Sequence, residues 1–159
     1  MEKNQGGIME NILVSACLLG VPCRYDGKSK PHSEVLALQS RYNLIPVCPE
    51  VSGGLPTPRI PCECCGERVL RRDGLDVTAQ YQKGALLALE QAVANNCRIA
   101  ILKERSPSCG NGRIYNGQFD GCLTEGDGVT AALLKQNGIH VIGESEIQSK
   151  LDFLISLKK

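Results

Sequence analysis

Cys17, Cys48 and Cys109 each stand just beyond a short apolar run. Cys17 follows Ile12 to Ala16 (ILVSA), Cys48 follows Leu44 to Val47 (LIPV), and Cys109 lies in the Glu104 to Gly110 loop after Ile99 to Leu102 (IAIL). Runs of this kind, bounded by Gly, Pro, Asn or Cys, read as buried parallel strands. In an open α/β sheet, ligands bind in the crevice beyond the carboxyl ends of the strands, so three cysteines far apart in sequence can meet there. Three thiolates are one fewer than the four that usually hold a structural cluster or a structural zinc, and an incomplete set leaves a metal position free for a substrate. Any one of the three alone reads equally as a small buried side chain. Together, each at a strand end, they read as a metal tripod.

The neighbours of these cysteines have their own chemistry. Glu50, two residues after Cys48, is placed to manage protons, and Ser106 and Ser108, just before Cys109 in a Gly-rich loop, can orient a water or hydrogen-bond a substrate. For a substrate carrying phosphate, Ser52-Gly53-Gly54 offers backbone N–H groups and Arg59 a bidentate partner; the plainer reading is a turn and a surface arginine. Cys62, Cys64 and Cys65 form a dense Cys-x-Cys-Cys group, but no second pair stands at zinc-finger spacing, and His32 and His140 are the only histidines. The group reads as a loop feature that binds zinc across two chains or has no role. Cys23 in its Pro22-Cys23 turn and Cys97 before a strand read as structural, Cys122 as near the site without being a ligand, and His140 as a core or edge residue.

The elements that must position these groups alternate. Beside the runs above, His140 to Ile142 makes a fourth strand. Helices are predicted over Ser33 to Ser40 with Ser33 as the cap, over Thr78 to Ala94 with an apolar side of Ala85, Leu86, Leu89, Ala92 and Val93, over Val129 to Gln136 before Asn137-Gly138, and over Glu146 to Leu157. Pro49 to Asp76, with four prolines, breaks the rhythm and reads as a long functional loop in which Glu67 to Arg71 forms a short hairpin strand. Residues 1–11 read as a flexible leader. The expected fold is α/β over residues 12–159: a single-domain, doubly wound, mainly parallel sheet with helices on both faces.

Composition narrows the function. A chain of 159 residues, 42% apolar, supports one core, and 18 basic against 17 acidic residues leave no broad positive field for nucleic acid, so a small-molecule partner is expected. No apolar run approaches the roughly 20 residues of a membrane span, and Met1 to Glu10 lacks a signal peptide's apolar stretch, so a cytoplasmic protein without membrane contact is expected. In a reducing compartment nine cysteines are metal, redox or catalytic groups, or buried small residues, before they are disulfides.

Longer motifs carry a resemblance. Ser15-Ala16-Cys17-Leu18-Leu19-Gly20 with Cys23, Tyr25 and Gly27, then Val47-Cys48-Pro49-Glu50 with Gly53-Gly54-Leu55-Pro56-Thr57-Pro58-Arg59, then Ser106-Pro107-Ser108-Cys109-Gly110, resemble the small bacterial domain family that contains the thiouracil desulfidases. The resemblance runs from about Ile12 to Gly143. It implies a 4Fe-4S cluster on Cys17, Cys48 and Cys109 with one iron open to the substrate sulfur. It also implies a non-redox, hydrolytic desulfuration of thiouracil, 4-thiouridine or 4-thiouridine monophosphate, with sulfide released. Glu50 and Ser106 match the family's acid/base and its helper. Cys62, Cys64 and Cys65 depart from the family pattern, which has a carboxylate near Glu63 but no flanking cysteines; in such an enzyme they could also accept or relay the released sulfur. Two other readings stand beside it: a structural zinc module on those three cysteines, and a thiol redox enzyme using Cys17 and Cys23.

Overall fold

Runs that are apolar on every residue must be covered on both sides, and the fold does this with helices above and below one sheet. The computed structural model describes residues 9–157. In chain order the elements are β1 (Asn11–Ser15), α1 (Ser33–Ala37), β2 (Asn43–Val47), α2 (Pro49–Ser52), β3 (Cys62–Cys65), β4 (Arg68–Arg71), α3 (Thr78–Ala94), β5 (Ile99–Leu102), β6 (Arg113–Tyr115), β7 (Leu123–Glu125), α4 (Val129–Gln136), β8 (His140–Gly143) and α5 (Ile147–Ser156). Four strands pair in parallel in the order β2-β1-β5-β8. The chain runs outward from β1 to β2 and then crosses to β5 on the other side of β1, which makes the crevice beyond β1 and β5 a topological switch point.

Alternation along the strands sorts the core. Ile12, Val14, Ile99 and Ile101 face Val35 and Leu38 from the α1 segment and Leu151 and Leu154 of α5. Leu13, Ala100 and Leu102 face Ala88 and Ala92 of α3 and Ala131 and Leu134 of α4. Each large side chain buried in this way contributes about 1.5–3 kcal/mol. The doubly wound α/β fold with helices on both faces is therefore as expected.

Several details differ from the sequence reading. Residues 1–8 of the expected leader lie outside the described residues, but Glu10 and Asn11 belong to the fold. Asn11 opens β1, and the Glu10 carboxylate accepts from Arg98 Nε at 2.9 Å. Ser33 is the first residue of α1, not its cap; His32 precedes it without a side-chain cap bond. Pro49 to Asp76 is not one irregular loop. It holds α2 and an antiparallel β3–β4 hairpin pairing Cys62 with Arg71 and Cys65 with Arg68. A second hairpin, β6–β7, has no counterpart in the sequence reading.

The α3 apolar side is also corrected. Leu86 and Val93 are 53% and 66% exposed, whereas Tyr81, Gly84, Ala85, Ala88 and Ala92 face inward. Apart from Tyr81 the inner face is small because α3 packs closely on the sheet and α4 at Ala88 and Ala92 and on the backbone of α2 at Gly84. A Cβ on Gly84 would sit 1.8 Å from the Pro49 carbonyl oxygen, and one on Gly53 would sit 2.0 Å from the Gln80 carbonyl oxygen. These reciprocal contacts clasp α2, which carries Glu50, directly onto α3. Gly84→Ala is expected to lower stability by about 1–3 kcal/mol or more through overpacking, read as a lower urea midpoint at unchanged m-value.

Candidate active site

The loops at the carboxyl ends of β2, β1 and β5 surround a cavity of about 460 Å³ whose lining includes Cys17, Cys48, Cys109, Cys23, Glu50 and Ser106. Each ligand candidate is placed by local chain geometry. Cys17 sits in the 3-10 turn Ala16–Leu19, closed by Gly20 at φ 100°, where a side chain would be strained. Cys48 is the residue before α2, and Pro49 at the first helical position pre-sets the turn. The Cys109 loop is docked on the start of α4: Val129 N–H donates to the Pro107 carbonyl at 2.9 Å and Thr130 N–H to that of Ser108 at 2.8 Å.

The three expected ligands thus meet at one cavity. Among the described residues no three His, Cys, Asp or Glu side chains close around a single metal ion. Thiols spread around a cavity suit a multi-iron cluster, whose cysteines bind separate iron atoms.

Glu50 is tied at both oxygens. Its Oε1 accepts from Arg59 Nε at 3.0 Å and Nη2 at 2.7 Å, and its Oε2 accepts from Ser108 Oγ at 3.0 Å. Ser106 Oγ accepts the backbone N–H of Ser108 at 3.2 Å and of Cys109 at 2.7 Å, and lies 3.2 Å from Ser108 Oγ. A carboxylate is a stronger acceptor than a hydroxyl, so Ser108 donates to Glu50 and Ser106 donates to Ser108. The result is a directed chain, Ser106 to Ser108 to Glu50. Ser108, expected on the substrate, is only 2% exposed and instead links the two catalytic candidates.

The expected phosphate site is not built. All five Arg59 N–H donors have partners: Glu50, the Pro56 carbonyl and Thr57 Oγ1 at 3.0 Å each, and the Cys23 carbonyl at 2.8 Å beside the second Glu50 bond. The N–H groups of Ser52, Gly53 and Gly54 donate within their own turn, to the carbonyls of Cys48, Pro49 and Val51. None of these three residues lines the cavity, because the Gly53 backbone is packed on Gln80. Arg59 is a holder of Glu50. With its side chain 5% exposed and that of Glu50 12%, Arg59→Ala leaves a buried carboxylate unpaired. A loss of about 3–5 kcal/mol is expected, seen as a Tm lower by roughly 6–20 °C.

Sequence reasoning also misplaced several cysteines. Cys23 is not merely a turn residue: it lines the cavity, and Cys48 Sγ donates toward its carbonyl at 3.8 Å. Its thiol is pushed up, first by hydrogen bonding to Cys17, and that of Cys48 is pushed up first by hydrogen bonding to Cys23 and then by burial. Cys62, Cys64 and Cys65 lie on a strand, not an exposed loop, and donate separately, Cys62 to the Ile60 carbonyl at 3.5 Å, Cys64 to that of Pro107 at 3.4 Å and Cys65 to that of Gly117 at 3.4 Å. Strand alternation parts Cys65 from the other two, so the zinc reading gains no site. Tyr81, buried beside Cys62 on the cavity wall, was missed because within a helical pattern it reads as core.

Burial pushes the Cys64 and Cys97 thiols from 9.0 to about 11. The folded state favours their protonated form, so their contribution is complete below about pH 9 and is lost as pH rises toward 11. Metal-free, reduced protein is expected to show a constant urea midpoint from about pH 7 to 8.5 and a falling one from about pH 9 to 11.

Comparison with known proteins bears on this geometry. The model of the 2-thiouracil desulfurase family matches residues 12–146. The uncharacterized protein YbbK of Bacillus subtilis (strain 168) is 43% identical over 150 residues, covering 88% of this chain and 99% of that protein. A solved structure, the [4Fe-4S]-dependent thiouracil desulfidase TudS, superposes with a TM-score of 0.88 at 50% identity, covering 93% of this chain and 99% of that one.

Proposed function

The chain belongs to the 2-thiouracil desulfurase family, and we propose that it removes sulfur from a thiolated pyrimidine, as base or nucleotide, by a non-redox hydrolysis. One observation carries this reading: three thiols from three neighbouring strands share a cavity with a carboxylate that ends a serine relay. The donor set fits an iron-sulfur group, since soft thiolates are its usual ligands. When held by Cys17, Cys48 and Cys109, a 4Fe-4S cluster supplies an iron lacking a protein ligand, a Lewis acid suited to sulfur. Glu50 takes a proton from the attacking water, directly or through Ser108 and Ser106, and returns it to the departing sulfide. Water's oxygen replaces sulfur on the ring carbon, so thiopyrimidine and water give the uracil form of the ring and hydrogen sulfide with no electron left over. Arg59 holds the carboxylate in place throughout.

The test is anaerobic reconstitution with iron and sulfide, followed by parallel measurement of sulfide and of the oxo product: uracil from 2-thiouracil, uridine from 4-thiouridine and uridine monophosphate from 4-thiouridine monophosphate. Brown protein releasing both products in equal amounts supports the proposal. Colourless or inactive wild type overturns it.

A further inference from the structure

A separate part of the cavity wall comes from the loop between β6 and β7, where Phe119 joins the lining together with Arg72 from the end of the β3–β4 hairpin. This loop is held from beneath by β3. The buried Glu63 carboxylate, through one oxygen, accepts the N–H of Gly117 at 2.8 Å and of Phe119 at 3.1 Å. Cys65, on the same face of β3, donates to the Gly117 carbonyl at 3.4 Å. Gly117 crosses so close that a Cβ there would sit 2.6 Å from the Cys64 carbonyl oxygen. Phe119 itself is at φ 56°, in the left-handed region that a bulky residue occupies only where its surroundings hold it. Its ring carries the Arg72 guanidinium 5.7 Å from the centroid.

A buried acid spent on two loop amides, a strained aromatic residue and a cation over its ring together make a fixed, flat, half-open surface beside the ligand thiols. We propose that Phe119, backed by Arg72, is the platform on which the substrate's pyrimidine ring stacks, and that Glu63 is the positioning residue that sets it there. The proposal rests on the reading of the substrate as a thiolated pyrimidine. Aromatic rings and guanidinium planes are the groups that bind flat nucleobases without regard to their edge pattern. Such a platform orients the ring while leaving its sulfur-bearing edge free. It also gives the extra cysteine Cys65 an ordinary task, holding a loop.

The experiment uses cluster-loaded protein and four variants. Phe119→Leu keeps apolar bulk and removes the π face; it is expected to raise KM by roughly 5- to 150-fold, the usual loss for a stacked base, with kcat and iron content unchanged. Phe119→Tyr is expected to restore wild-type KM. Glu63→Ala releases the loop and is expected to raise KM likewise, whereas Glu63→Gln, whose amide oxygen still accepts both N–H groups, is expected to keep it near wild type. Equilibrium dialysis of uracil, which does not react, reads the same platform without turnover and is expected to show weaker binding in Phe119→Leu. Unchanged KM and unchanged uracil binding in Phe119→Leu overturn the platform. A wild type that binds uracil but releases no sulfide overturns the desulfidase reading alone.

Discussion

Cys109→Ser is expected to abolish the brown chromophore of the cluster-loaded protein and to lower sulfide release by more than about 100-fold, the upper figure for losing only an outer partner of a metal ligand. The Cys109 thiol lies 4% exposed, with its backbone N–H held by Ser106 at 2.7 Å and Ser108 Oγ at 3.5 Å from its sulfur. Serine fits that space and finds a hydroxyl partner there, so the fold is kept while a soft thiolate is exchanged for a hard, reluctantly ionised oxygen. The same substitution at Cys17 or Cys48 is expected to match it. At Cys97, buried outside the cavity lining, and at exposed Cys122, colour and activity are expected to persist. Visible absorbance and iron per chain, read beside sulfide release, separate ligand from bystander.

Glu50→Gln acts on the proton instead of the metal. Gln retains an oxygen for the two Arg59 bonds and meets Ser108 with its amide, so position and shape are conserved while the basic charge is lost. A fall in kcat of about 10²- to 10⁴-fold is expected, with the chromophore intact. Activity that survives the substitution would remove Glu50 from proton transfer and leave it as a partner for Arg59. Chromophore loss would place it in cluster binding. The two substitutions therefore fail in different readouts, one in iron content and one in rate.

How much of this was legible in the sequence depends on the distance over which each signal acts. The ILVSA and IAIL runs named the two central strands because full burial leaves no polar alternation; LIPV named the edge strand β2, which is only partly buried, and the cysteines after all three runs converge. Thr78–Ala94 was read at its true bounds, yet its inner face was misjudged. Large apolar residues draw the eye, but the inner face of this helix carries Gly84, Ala85, Ala88 and Ala92 beside Tyr81, and glycine is needed where it meets the Pro49 backbone. Arg59 looked like a phosphate ligand because its partners Glu50 and Cys23 are brought near only by the tertiary fold. Phe119 gave no signal at all, and for Glu63 the family resemblance offered only a carboxylate near that position, with no role attached. Their tie joins residues 56 apart, and nothing local in β3 announces a carboxylate aimed at a distant loop.

The clasp between α2 and α3 divides the freedom of one helix into two unequal shares. Outside, Leu86 and Val93 stand in water, and a wide range of side chains can replace them as the chain drifts under mutation. Inside, position 84 touches the carbonyl of the residue next to Glu50, so the alphabet there shrinks to glycine. The need to hold Glu50 in place is thus written into a residue with no functional group, about one turn of helix beyond cavity-lining Tyr81, where a search for reactive side chains would never look.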